Sequence, residues 1–124
     1  MRAPEPLSGV RVVAAPPALD GLEWPDGVVA LRLAGDDLFA VGAAKAELAD
    51  AIVEDERGFV GWWLTLEELD GLVLEHVDWA LPARWPALAQ GLIGGVPAKL
   101  WLTNDRVLLF AAAAYAHELE ERLP

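Results

Sequence analysis

The stretch "GFVGWWLTLEELDGL", residues 58–72, sets two tryptophans side by side and then changes its periodicity. Read as a strand, residues 59–64 send Trp62 and Trp63 to opposite faces of a sheet. One indole enters a core, and the other needs a cover of its own. Thr65 then opens a helix. Thr65 and Glu68 stand at the spacing of a capping box, in which the hydroxyl takes the amide of residue 68 and the carboxylate reaches back to the amide of residue 65. Glu67 and Glu68 also lie where the helix dipole favours negative charge. The spacing of Leu69, Leu72 and Val73 predicts a helix from Leu66 to about His76 with these three facing the core, slightly weakened by Gly71.

Working outward from this stretch gives more strands than helices. Upstream, "AIVEDERGF" predicts a strand from Ala51 to Glu54 and a turn over Glu56 to Gly58. Before it, "AAKAELADA" is rich in helix formers and predicts two helical turns. "VVALRLA", Val28 to Ala34, then "GDD" and "LFAVG", read as a hairpin. "VRVVAA" predicts a strand from Val10 to Ala15, stopped by Pro16 and Pro17, and "LDGLEWPDG" reads as loop. Residues 1–9 read as a loose arm, leaving residues 10–124 as a single α+β domain.

Downstream, Pro82 and Pro86 interrupt "DWALPARWPALAQGLIGG", and Leu88 to Ile93 fits either strand or helix. Gly94-Gly95 reads as a tight turn into a strand. Two apolar segments flank Thr103-Asn104-Asp105-Arg106, predicting a second hairpin in which Asn104 and Asp105 tolerate positive φ. "AAAAYAHELEER" closes the chain as a helix, with Tyr115 and Leu119 four apart. The whole order predicts α+β with a mainly antiparallel sheet and helices on one face. "ALRLAGDDLFAVG" and "AKLWLTNDRVLLF" echo each other as strand, acidic turn, strand, each leading into an Ala-rich helix. Two such halves suit a ferredoxin-like arrangement.

The composition narrows function mostly by exclusion. The chain has 124 residues, 20 acids, 9 bases and a net charge of −11. Its bases are scattered, so a nucleic-acid partner is not expected. Without cysteine there is no thiol chemistry and no zinc–thiolate site, which suits a cytoplasmic protein. The longest apolar run, Val107 to Ala116, is too short to span a bilayer, so no membrane role is expected.

No catalytic residue and no metal site is nominated. His76 and His117 lie far apart in sequence, without nucleophile or ligand spacing around them. Glu54 to Glu56 is the densest acid cluster but lacks calcium-loop spacing and reads as a solvated turn. Asp36, Asp37, Asn104 and Asp105 suit turns. "GLIGGVP" lacks the pattern of a phosphate or dinucleotide loop. Ser8 is the only serine, and neither Lys45 nor Lys99 has a Schiff-base context.

What remains is aromatic. Six tryptophans and 55% apolar residues are a high load for a chain this short. Trp62, Trp63, Trp85 and Trp101 are therefore the candidate surface for a ligand or a partner, since aromatics are enriched at interface cores. Trp101 alternates with Leu100 and Leu102, and Trp79 and Trp85 flank Pro82.

Four stretches carry a family resemblance. "AIVEDERGFVGWWLTLEEL", "ALAQGLIGGVPAKLWLTNDRVLLF", "AAYAHELEERL" and, earlier, "VVALRLAGDDLFAVG" together resemble the gamma subunit of heterotetrameric sarcosine oxidase. That subunit is related to the folate-binding domain of the aminomethyltransferases. The chain departs from the family pattern at "EDER", where the family often has Asp followed by a small hydroxyl residue, and it is shorter. The resemblance implies a folate-domain-like fold and a non-catalytic accessory domain that docks on itself or on a larger oxidoreductase. It implies no cofactor of its own, folate entering by resemblance only, and no folate-binding residue is carried over. The other reading is a small-molecule module that holds a pterin-like or other aromatic ligand against Trp62 or Trp101.

Overall fold

The computed structural model describes residues 1–124. Its class is α+β with antiparallel strands. The chain divides into two units, one of Leu7–Gly58 and one of Met1–Pro6 with Phe59–Pro124.

In the first unit, β1 (Glu5–Val13), β2 (Val29–Ala34) and β3 (Asp37–Val41) lie in the order β2-β3-β1. β3 is antiparallel to both neighbours, with Val10 opposite Ala40 and Ala30 opposite Ala40. The predicted β2–β3 hairpin forms around Gly35 and Asp36. A bulge at Leu33 lies between the Arg32–Leu38 and Ala34–Asp37 pairs. Val10, Val12, Leu38 and Ala40 share the face that becomes this unit's core. α1 (Pro16–Asp20) helps to cover it through Leu19. The proline pair does stop a strand, and it also starts this helix, because first-turn amides have no intrahelical acceptor to lose.

Three expectations fail here. Residues 1–9 are not all a loose arm: β1 begins at Glu5, and in the other unit Arg2 donates to the Trp63 carbonyl and the Glu68 carboxylate. Residues 43–51 form no helix. Ala43, Ala46, Leu48 and Ala51 instead pack on the β-sheet core, and that packing outweighs the propensity of so short a segment. The turn expected at Glu56 to Gly58 is also absent, because β4 runs unbroken from Ile52 to Leu64. One of its acids, Glu56, is held in place. Glu56 accepts from Arg11 at 2.5 Å and from the Gly58 amide at 2.9 Å.

In the second unit the strand order is β4-β7-β6-β5, with β5 (Ala87–Ile93), β6 (Val96–Leu102) and β7 (Val107–Ala112). The ambiguous 88–93 stretch is thus a strand. Gly94 and Gly95 make the two-residue turn between β5 and β6 with φ of 57° and 81°, a conformation that suits glycine at both positions. The second hairpin closes at Thr103, whose amide donates to the Arg106 carbonyl at 3.1 Å and whose hydroxyl accepts from the Arg106 amide at 3.1 Å. Asn104 and Asp105 do not adopt the positive φ expected of them. The side-chain bond does that work.

Alternation gives this sheet one face of Trp62, Leu64, Val107, Leu109, Leu100, Leu102, Ala89 and Ile93, all buried. The predicted helix, α2 (66–76), lies against them through Leu69, Leu72 and Val73. Its capping box is formed, with both Thr65–Glu68 bonds at 3.0 Å. The helix widens in its middle, where the Leu74 amide bonds the Leu69 carbonyl, and tightens over Leu74–His76. α3 (Ala113–Arg122) buries Ala116 and Leu119, and Leu123 follows; Tyr115 points to solvent instead. Trp79 lies over Gly91 and donates to the Leu92 carbonyl at 2.8 Å.

Candidate functional site

The four nominated tryptophans separate according to the pleat. Trp62 does not belong to any surface. It is 1% exposed, inside the core, and its indole N–H donates to the Arg2 carbonyl at 2.7 Å. The even-numbered positions of β4 face inward here, so the larger apolar load falls on Trp62 rather than Trp63. Trp85 is half-buried against the same core and donates to the Pro82 carbonyl at 2.8 Å.

Trp63 and Trp101 lie on the opposite face. Both sit across from Leu108, and Leu88 sits across from Trp101, so the row reads Trp63, Leu108, Trp101, Leu88. Two strand spacings put the indoles about 10 Å apart. Leu108 between them is fully buried, and both indoles are half-buried. The Arg106 guanidinium covers one side of Trp63, 3.8 Å from the ring centre, as a cation–π contact. This answers what covers the second tryptophan. Most of the indole surface is already used within the chain.

The polar candidates also have assigned work. His76 gives its carbonyl to the Gly94 amide at 2.9 Å. His117 is exposed on α3 with Glu121 at 3.1 Å, an ion pair only when the imidazole is protonated. Arg11 is the most engaged charge. It holds Asp37 through two nitrogens at 2.5 and 2.7 Å and Glu56 through a third. The Asp37 bond, joined by that of Glu56, raises its pKa further above its ordinary value despite partial burial. The Thr65 amide, then Arg2, holds the Glu68 carboxyl below the usual range. The Thr103 hydroxyl does the same for Asp105. No group of three or more His, Asp or Glu side chains is placed to hold a metal ion. No helix is long and apolar enough to cross a membrane.

Two features escaped the sequence reading. The first is the opening half of β4. Ile52 is 60% exposed and its neighbour Val53 37%, so apolar side chains stand free on both faces of one strand. Glu54, Asp55 and Arg57 beside them are exposed as well. Its signal in the sequence is a pair of consecutive β-branched residues followed by charge without alternation. The second is a pair of adjacent shallow clefts in the first unit. One is lined by Leu22, Trp24 and Lys45, the other by Val28, Gly42 and Lys45. Trp24 lies in the loop stretch "LDGLEWPDG", where periodicity carries no signal for a cleft.

Comparison with protein families, with curated proteins and with solved structures finds no match to this chain.

Proposed function

We propose that this chain is a non-catalytic accessory domain that docks on another protein chain, either a second copy or a larger oxidoreductase. The observation that carries the reading is the Ile52–Val53 pair, large apolar side chains left in water on a formed strand. The polar groups support it from the other side, because Arg11, Glu68 and Asp105 each join secondary-structure elements, cap a helix or close a turn. The resemblance to the sarcosine oxidase gamma subunit makes a flavin-containing amine oxidase the first oxidoreductase to test. Of the two finer fold readings, we favour the folate-domain-like one, because residues 43–51 do not supply the helix a ferredoxin-like half requires.

The test is light scattering after size-exclusion chromatography, with the chain alone at micromolar concentration and mixed with the subunits of a flavin-containing amine oxidase. A dimer or a stable mixed complex is expected. A monomer that joins none of these subunits counts against the reading.

One observation favours a small-molecule module as the second reading. Trp62 is closed to a ligand, but Trp24 lines a cleft beside Lys45, an aromatic face next to a cation. Folate titration should then quench tryptophan emission in the native chain and fail to do so in Trp24→Phe. No quenching at saturating folate removes folate as the ligand.

A further inference from the structure

The exposed half of β4 ends where its ladder with β7 ends. That ladder runs from Leu64–Val107 to Phe59–Ala112, and the chain turns into α3 at Ala113. The first β4 amide beyond it, Gly58, is closed by the Glu56 carboxylate at 2.9 Å rather than by a strand. Residues 52–58 are therefore extended, and six of the seven residues are exposed. A strand that stops being paired on one side presents backbone donors and acceptors to an added strand.

Charge selects the occupant. Glu54 and Asp55 are exposed carboxylates without an ion pair, in a chain of net charge −11. A second copy fits poorly. Antiparallel pairing of two such segments about Asp55 would set Asp55 against Asp55 and Glu54 against Glu56, and like charges directly opposite destabilise a strand pair. The same carboxylates attract lysine or arginine on an incoming chain, while Ile52 and Val53 offer apolar contact on either face. We propose that residues 52–58 are a docking edge for an extended, basic segment of a different protein, added as a strand beside β4. This rests on the accessory-domain reading and names its surface and the chemistry of its partner.

The probe is an end-blocked heptapeptide of alternating lysine and valine, used with the intact chain. Amide hydrogen exchange should slow several-fold at alternate amides of residues 52–57 and nowhere else. The effect should vanish when the peptide's alternate amides are N-methylated, and with the chain variant Glu54→Lys/Asp55→Lys. Both substituted positions are exposed, so the variant keeps its fold. Three results overturn the proposal: no protection at millimolar peptide, protection that survives N-methylation, or equal protection by a control heptapeptide of alternating glutamate and valine. A dimer of the native chain that protects the same amides also overturns it, in favour of a second copy. A complex with an oxidoreductase subunit that leaves exchange in 52–58 unchanged removes this surface but leaves the accessory-domain reading standing.

Discussion

Truncating the two adjacent tryptophans in turn should produce very different losses. Trp62 is 1% exposed and its N–H is bonded. Trp62→Ala removes a buried indole from a closed core, a class of change that costs about 3–5 kcal/mol. Trp63 is half-buried. Truncating it forfeits about half of an aromatic burial, roughly 1 kcal/mol, and a cation–π contact of about 0.5–1 kcal/mol. The expected loss is about 2 kcal/mol. Urea unfolding followed by circular dichroism reads both, and at a slope of about 1.5 kcal/mol/M the midpoints should differ by roughly 1 M or more. A domain of about 5–15 kcal/mol stability can fail altogether with Trp62→Ala. Trp62→Phe then serves, keeping bulk but leaving the Arg2 carbonyl without its donor. A double-mutant cycle of Trp63→Ala with Arg106→Ala should return about 0.5–1 kcal/mol of coupling. Equal losses at positions 62 and 63, or a larger loss at 63, would refute the facing assigned to β4.

Three further outcomes follow from the same geometry. Gly91→Ala places a methyl 2.6 Å from the Trp79 ring, so the indole must move; a loss of about 1–3 kcal/mol and a red-shifted emission are expected, and unchanged emission contradicts the contact. Thr65→Ala removes the hydroxyl of the capping box and should cost about 1 kcal/mol in thermal unfolding, whereas Thr65→Ser should be nearly neutral. Glu68 and Asp105 have folded pKa values below their unfolded ones, so their contribution is present at neutral pH and lost as pH falls through the depressed values. Melting temperature should therefore drop below about pH 4, and Glu68→Gln with Asp105→Asn should flatten that drop; an unchanged acid profile contradicts it.

The parts of the fold legible in the sequence were those with a local cause. The Thr65–Glu68 cap, the paired glycines of the β5–β6 turn and the apolar stripe of α2 each reside in a few neighbouring residues. The misreadings share a different origin. Residues 43–51 have helical propensity but pack on β1 and β3, and no local rule weighs that packing. "EDERG" resembles a turn until Arg11, 45 positions away from Glu56, takes the carboxylate. The nominated surface failed for a related reason. Alternation required that one of Trp62 and Trp63 be buried, yet which one depended on the register with β7. The apolar residues left in water, Ile52 and Val53, are β-branched aliphatics that composition does not bring to notice.

Arg11 lies diagonally across from Asp37, since Val13 is Asp37's direct opposite on β3. With Glu56 on β4, one cation thus joins three strands. Sliding β1 by a single position would rotate the guanidinium to the far side of the sheet and strand two anions on the near side. Correct alignment is thereby written in charge as well as in greasy contacts. Lysine there would keep the sign but lose the planar fork that grips two carboxylates at once.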